Sequence, residues 1–221
     1  MPPFRLRFLE LAVACGALRF GEFTLKSGRV SPYFFNAGRI DGGAALATLG
    51  GCYADAVSAA GVEFDMLFGP AYKGIPLATS AAIAFAARGR DLPLAFDRKE
   101  AKAHGEGGVL IGAPLAGRVL VVDDVITAGT AVRESLRLIA REGAQAAGLL
   151  VALDRQERGS GPSGSTSMGS AAQEIAAEFG VPVIGIATLD DLLAFAATAP
   201  ALVQHADALV SYRARYGVAT P

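Results

Sequence analysis

An α/β fold with a mostly parallel central sheet flanked by helices is predicted from three observations. Short apolar runs alternate with helix-like stretches along most of the chain. One run, Val119-Leu-Val-Val-Asp123-Asp124-Val-Ile-Thr127-Ala-Gly129-Thr130-Ala131, passes from four apolar residues into two carboxylates and a Thr/Gly turn, with helical pattern over 132–140. At 221 residues the chain is long enough to cover one such sheet on both faces.

The elements follow in order. Phe4, Phe8, Leu11, Cys15 and Leu18 recur at helical spacing and predict an amphipathic first helix. Arg5 and Arg7 ahead of an apolar stretch imitate an export signal, but Glu10 interrupts it. Extended runs around Lys26-Ser27-Gly28-Arg29 predict a hairpin over 23–36. A helix is expected at 42–60 and a strand at 64–68. A buried, Ala-rich helix follows from 75 to near Gly89, then a strand at 94–96. The strand at 119–122 leads into a helix reaching 142. The series ends with a strand at 149–153, a helix at 171–179 and a strand at 183–186. Two segments depart from regular pattern. Residues 98–112 are polar and Gly-rich and read as a mobile loop. Residues 159–169 are Gly/Ser-rich and read as a flexible insertion.

Bulk properties exclude several classes. The net charge of −1 gives no footprint for nucleic acid, although basic residues gather at 98–104 in a way that suits a small anion. No stretch approaches the roughly 18 apolar residues of a membrane span. Cys15 and Cys52 form no Cys-x-x-Cys pair and read as small core residues in a reducing, cytoplasmic compartment.

The 119–131 run carries chemistry. A buried strand that ends in a turn at a helix N-terminus is a site for a phosphate monoester. Thr127, Gly129 and Thr130 offer hydroxyls and close backbone N–H groups. Asp123 and Asp124 would repel a phosphate, so they call for hydroxyls or a metal. A phosphorylated ribose with Mg²⁺ meets all three demands. The loop after 64–68, the acid pair and Arg155 each follow a predicted strand, and ligands in such sheets bind beyond the carboxyl ends of the strands. Taken alone, each feature also has a plainer reading. The acids suit a helix dipole, the Phe34-Phe35 pair suits a core, and the Arg-Lys run suits a solvated loop.

Five blocks together resemble the orotate phosphoribosyltransferases, a type I phosphoribosyltransferase family. The 119–131 run resembles the family's 5-phosphoribosyl 1-diphosphate (PRPP) motif. Phe23-Thr-Leu-Lys26-Ser-Gly-Arg-Val-Ser-Pro-Tyr-Phe34-Phe35-Asn36 resembles its N-terminal signature. Gly69-Pro-Ala-Tyr72-Lys73-Gly-Ile-Pro, Phe96-Asp-Arg98-Lys99-Glu-Ala-Lys102-Ala-His104 and Leu153-Asp154-Arg155-Gln-Glu-Arg-Gly are similar to three further blocks, in the family's order.

The resemblance implies a single phosphoribosyltransferase domain over 1–221, with a small N-terminal hood holding the hairpin within about 1–40. It implies transfer of the 5-phosphoribosyl group from PRPP to orotate, giving orotidine 5′-monophosphate and pyrophosphate in pyrimidine biosynthesis. Arg98, Lys99, Lys102, His104, Asp123 and Asp124 would be catalytic. PRPP would be held by those residues with Lys26, Tyr72, Lys73 and the turn Val125, Ile126, Thr127, Ala128, Gly129, Thr130 and Ala131. Orotate would be held by Lys26, Phe34, Phe35, Thr127 and Arg155. Arg155 would fork onto the orotate carboxylate. Mg²⁺ would be bound through PRPP or pyrophosphate, with Asp123 and Asp124 reaching it through water. The family also implies a non-proline cis peptide between Ala71 and Tyr72, and a homodimer whose loops cover the partner's site. No nucleic-acid or membrane partner is expected, and no fused decarboxylase. The remaining alternatives are a transferase for a purine base and a non-catalytic PRPP-sensing regulator.

Overall fold

The computed structural model describes residues 1–25, 27–98, 109–127, 129–160 and 166–218, without the side chains of 160 and 166–168. The first helix, α1, spans Pro3–Ala14. Its Phe8, Leu9 and Ala12 are buried, with Phe4, Leu11 and Cys15 packed alongside. Strands β1 (Leu18–Thr24) and β2 (Val30–Phe35) form the expected antiparallel hairpin. It begins five residues earlier than the sequence pattern suggests, because Leu18 has left the helical stripe to pair with Phe35. A short 3-10 turn at Ala37–Arg39 leads into α2, Gly43–Ala60.

The central sheet follows. Strand β3 is Met66–Gly69, helix α3 is Gly74–Ala86, and β4 is Leu94–Asp97. Next come β5 (Leu110–Gly112), β6 (Arg118–Val125), α4 (Thr130–Arg141) and β7 (Gln145–Asp154). Six strands pair in the order β10-β7-β6-β3-β4-β5, where β10 is Val183–Thr188. All neighbours are parallel except β4 and β5. Strand β3, residues 119–122 of β6 and residues 148–153 of β7 are buried on both faces, which is why these stretches are continuously apolar. Leu120 and Val122 of β6 face a core shared with α1, α2, α3 and the hairpin. Val119 and Val121 face a second core closed by α4 and α5 (Ala171–Phe179).

Several expectations need correction. Residues 110–112, read as loop, form the edge strand β5. Its Gly112 N-terminal neighbours pair with β4 and carry no periodic signal of their own. Helix α3 is buried on one face only, since Ile83 is 63% exposed. Much of the Gly/Ser-rich insertion is not loop either. Strands β8 (Arg158–Ser160) and β9 (Thr166–Ser170) pair antiparallel, a ladder that needs backbone groups and no apolar side chains. The chain closes with two helices that the sequence pattern did not reveal, α6 (Leu189–Thr198) and α7 (Ala206–Tyr216). Helix α7 packs against β2, so the end of the chain supports the hairpin. Among the described residues no helix is long and apolar enough to cross a membrane.

Candidate active site

The strands β3, β6 and β7 lie side by side in the sheet, and each carries one predicted block at its carboxyl end. The parallel order thus brings together the loop after Gly69, the acid pair and Arg155.

The acid pair sits within β6, not beyond it. Asp124 is buried, and its Oδ2 accepts from Lys73 Nζ at 2.6 Å. Its Oδ1 accepts from the Val125 N–H at 2.9 Å. Asp123 is half-buried, and among the described residues its Oδ1 accepts from the Asp124 N–H alone, at 2.9 Å. Burial, followed by repulsion from Asp124, pushes the Asp123 carboxyl up to about 7. Tyr53 of α2 fixes this strand end by donating its hydroxyl to the Asp123 carbonyl at 2.9 Å.

Beyond the acids the chain turns through Thr127 into α4. Asp123, Val125, Ile126, Thr127, Gly129, Thr130 and Ala131 line a cleft of about 270 Å³. Ile126 is buried beneath it, while Thr127, Thr130 and Ala131 are exposed. Gly129 is the N-cap of α4 with φ of 74°, a left-handed conformation that only glycine adopts readily. A Cβ there would also lie 2.8 Å from Arg133 Nη1. The turn therefore places free helix-end N–H groups around the cleft.

The β3 loop holds a cis peptide between Ala71 and Tyr72, as expected. Gly74 closes the loop, where a Cβ would lie 2.5 Å from Pro70 Cδ. Asp97 accepts from the Ala71 N–H, which ties this loop to the end of β4. Tyr72 is 68% exposed, and Lys73 is half-exposed despite its ion pair. Arg98 follows Asp97 and is part-buried. Its Nε is buried without a hydrogen-bond partner among the described residues. Lys26, Lys99, Lys102, His104 and Ala128 lie outside the described residues.

The base-recognition residues are placed less simply. Strand alternation sends Phe34 and Phe35 to opposite faces of β2. Phe34 packs on Phe23, with ring centroids 5.6 Å apart, whereas Phe35 meets Phe8 edge-on at 5.9 Å. One ring at most can face a common ligand, and the other would act through its backbone. Arg155 has only 18% of its side chain exposed and is ion-paired with Glu157 at 2.8 Å. Its guanidinium lies 5.3 Å from the centre of the Tyr33 ring, and Tyr33 donates its hydroxyl to Glu157 at 2.8 Å. Tyr33, Tyr53, Asp97 and Glu157 were not singled out by sequence reasoning. Tyr33, Asp97 and Glu157 stand inside the blocks, within two residues of Phe34, Arg98 and Arg155.

Among the described residues no cluster of three or more His, Cys, Asp or Glu could cage a metal. Two adjacent carboxylates are nonetheless a hard-oxygen donor set. They fit Mg²⁺, which keeps most of its shell as water and substrate oxygens.

Comparison with known proteins agrees with this geometry. The phosphoribosyl transferase domain model matches residues 41–184. An orotate phosphoribosyltransferase of Xanthomonas euvesicatoria is 65% identical over 221 residues, covering 100% of this chain and 99% of the relative. The crystal structure of the Francisella tularensis orotate phosphoribosyltransferase superposes with a TM-score of 0.84 at 41% identity, covering 95% of this chain and 98% of that one. A Mycobacterium tuberculosis orotate phosphoribosyltransferase solved in complex with PRPP gives 0.63 at 25% identity, covering 86% and 99%. On the matched domain, the full-length identity and the shared fold, this chain belongs to the orotate phosphoribosyltransferase family.

Proposed function

We propose that this protein transfers the 5-phosphoribosyl group of PRPP to orotate in pyrimidine biosynthesis, with the residues of the β3, β6 and β7 strand ends dividing the work. The observation that carries the reading is the convergence of an acid pair, a phosphate-sized turn and a cation on adjacent parallel strands.

In the reaction the N1–C1′ bond to the base forms, the bond from C1′ to pyrophosphate breaks, and the ribose becomes cationic in between. The turn from Val125 to Ala131 would seat the 5′-phosphate on the N-terminus of α4. Asp123 and Asp124 would accept from the ribose hydroxyls or from waters on the metal. Mg²⁺ bound with PRPP would neutralise developing charge on pyrophosphate. Lys73 and Tyr72 would hold pyrophosphate from the β3 loop. Lys73 is already near the site and has only to exchange Asp124 for a phosphate oxygen. Arg98, Lys99, Lys102 and His104 would add positive charge over the leaving group and exclude water, each donor contributing roughly 10²–10³ in rate. Lys26, Phe34, Phe35, Thr127 and Arg155 would hold orotate, Arg155 through its carboxylate.

We also infer a single domain over 1–221, a homodimer whose segments between β4 and β5 serve the partner's site, and a cytoplasmic location. The dimer and loop exchange rest on the family resemblance. The location is supported by two free cysteines.

The test is the fall in orotate ultraviolet absorbance on mixing protein, PRPP and Mg²⁺, beside adenine, hypoxanthine and uracil. Loss of signal with orotate alone, dependent on both PRPP and Mg²⁺, is the expected result. A reaction with a purine would overturn the base assignment, and PRPP binding without any reaction would favour a sensor. Mixing two inactive variants, one altered at Lys102 and one at Asp124, tests loop exchange. Recovered activity is expected, and none would refute it.

A further inference from the structure

Glu157 Oε1 is the meeting point of three donors. It accepts from Arg155 Nε at 3.0 Å, from Arg155 Nη2 at 2.8 Å and from the Tyr33 hydroxyl at 2.8 Å. Nε and Nη2 form the side-on edge of the guanidinium, so that edge is spent on Glu157. No hydrogen bond from Nη1 occurs among the described residues, which leaves the end-on edge of Nη1 and Nη2 to take a carboxylate in a two-point fork. Four contacts hold the arrangement. Tyr33 is 1% exposed and its ring packs edge-on against Tyr212. Gln156, with φ of 47°, accepts from the Asp190 N–H at 3.0 Å through its side chain and from the Val218 N–H at 2.9 Å through its carbonyl. Glu157 itself bridges to Gly217.

The bland reading is an ordinary ion pair that stabilises the fold. A largely buried pair seldom stabilises more than apolar residues of the same volume would. What this pair does supply is direction, because a free arginine samples many rotamers and would order only on binding.

We propose that Glu157, braced by Tyr33, is a positioning residue that selects which edge of Arg155 meets the carboxylate of the base, and so sets specificity for a carboxylated pyrimidine. This rests on the reading of Arg155 as the carboxylate partner.

The test is steady-state kinetics of Glu157→Gln, Tyr33→Phe, Arg155→Ala and the double variant Arg155→Ala/Glu157→Gln, with orotate and PRPP varied separately. Glu157→Gln should raise the orotate KM about ten-fold, the scale of one charge-assisted hydrogen bond, and leave the PRPP KM within about two-fold. Tyr33→Phe, which keeps the packed ring, should raise the orotate KM about three-fold. The Glu157→Gln effect should vanish in the Arg155→Ala background, because there is then nothing to aim. A merely structural role would move both KM values and persist in that background, which overturns the proposal. So does a lowered orotate KM in Glu157→Gln, which would mean that Glu157 competes with the base for Arg155. If Arg155→Ala raises the orotate KM and Glu157→Gln does not, Arg155 keeps its role and only the positioning falls. If Arg155→Ala itself changes nothing, the underlying reading falls first. Should Glu157→Gln fold poorly, Tyr33→Phe and its double variant with Arg155→Ala decide alone.

Discussion

Replacing Asp123 with Asn should change how stability depends on pH, and the sign follows from the site. The Asp123 carboxyl is raised from 3.8 to about 7, first by burial and then by Asp124 beside it. Its proton is therefore bound more tightly in the folded chain than in the unfolded one. For this group stability is fully present below about pH 4 and is lost as pH rises through 7. At about 1.36 kcal/mol for each unit of pKa, the loss amounts to up to about 4 kcal/mol, of which about 2–3 kcal/mol falls between pH 5 and 7. Asn keeps an acceptor for the Asp124 N–H but carries no charge, so it escapes the loss. Urea unfolding of both proteins from pH 5 to 8, without ligand, reads the difference. The variant should gain on the parent as pH rises and then hold a constant lead above about pH 7.5. Parallel curves across the range would refute the argument that Asp123 is held against its charge. The same variant should transfer poorly at every pH, because a neutral amide cannot replace the carboxylate towards sugar hydroxyls or hydrated metal.

Other perturbations follow from single contacts. Lys73→Ala removes the one side-chain cation paired with the buried Asp124 among the described residues. Denaturation should show a loss of about 1–3 kcal/mol, discounted because the lysine is half-exposed, and kcat should fall about 10²-fold. Gly129→Ala forces a side chain into a left-handed position beside Arg133. It should raise the PRPP KM about ten-fold, from a strain of about 1–2 kcal/mol, and spare the orotate KM. Ending the chain after Tyr216 removes Val218, which is 4% exposed and bonded to the Gln156 carbonyl. Losing one buried valine should lower stability by about 1.5–3 kcal/mol in a melting experiment and raise the orotate KM as the 155–157 loop loosens.

Much of this was legible in the sequence wherever one segment carried its own signal. Strand β3 and residues 119–122 of β6 are buried on both faces and so had to be apolar. The 119–131 run showed strand, acids, turn and helix in one reading, and its Thr127, Gly129 and Thr130 line one cleft. Signals failed where structure is made by backbone pairing or by distant partners. β5 and the β8–β9 ladder contain glycine and serine and no apolar alternation, so they read as loop. Helices α6 and α7 lie beyond the last quoted block. Their Leu192, Phe195, Leu209 and Tyr212 join the core of the hairpin and α1, and Asp191 of α6 pairs with Arg5 at 2.9 Å.

The site divides along the same line. Residues that would touch ligand sit in motifs, because phosphate, hydroxyl and carboxylate each demand a residue type at a fixed spacing. Residues that aim them are joined to one another by long-range contacts, even where, as with Tyr33, Asp97 and Glu157, they stand inside a block. Tyr53 holds the Asp123 carbonyl from 70 positions away, and Tyr33 reaches Glu157 across 124. Asp97 holds the Ala71 N–H across 26. Such residues have no spacing rule, since any element that passes close by can supply a hydroxyl or a carboxylate. They act on the orientation of a group rather than on its chemistry. Substitution of the acid pair should therefore remove rate, as for Asp123, whereas substitution of Tyr33 or Glu157 should shift affinity for one substrate and leave the other alone. The arrangement of the three strand ends makes this separation possible: the β6 end and the β3 loop can serve PRPP while Arg155, just past the end of the neighbouring β7, is aimed by Tyr33 and Glu157.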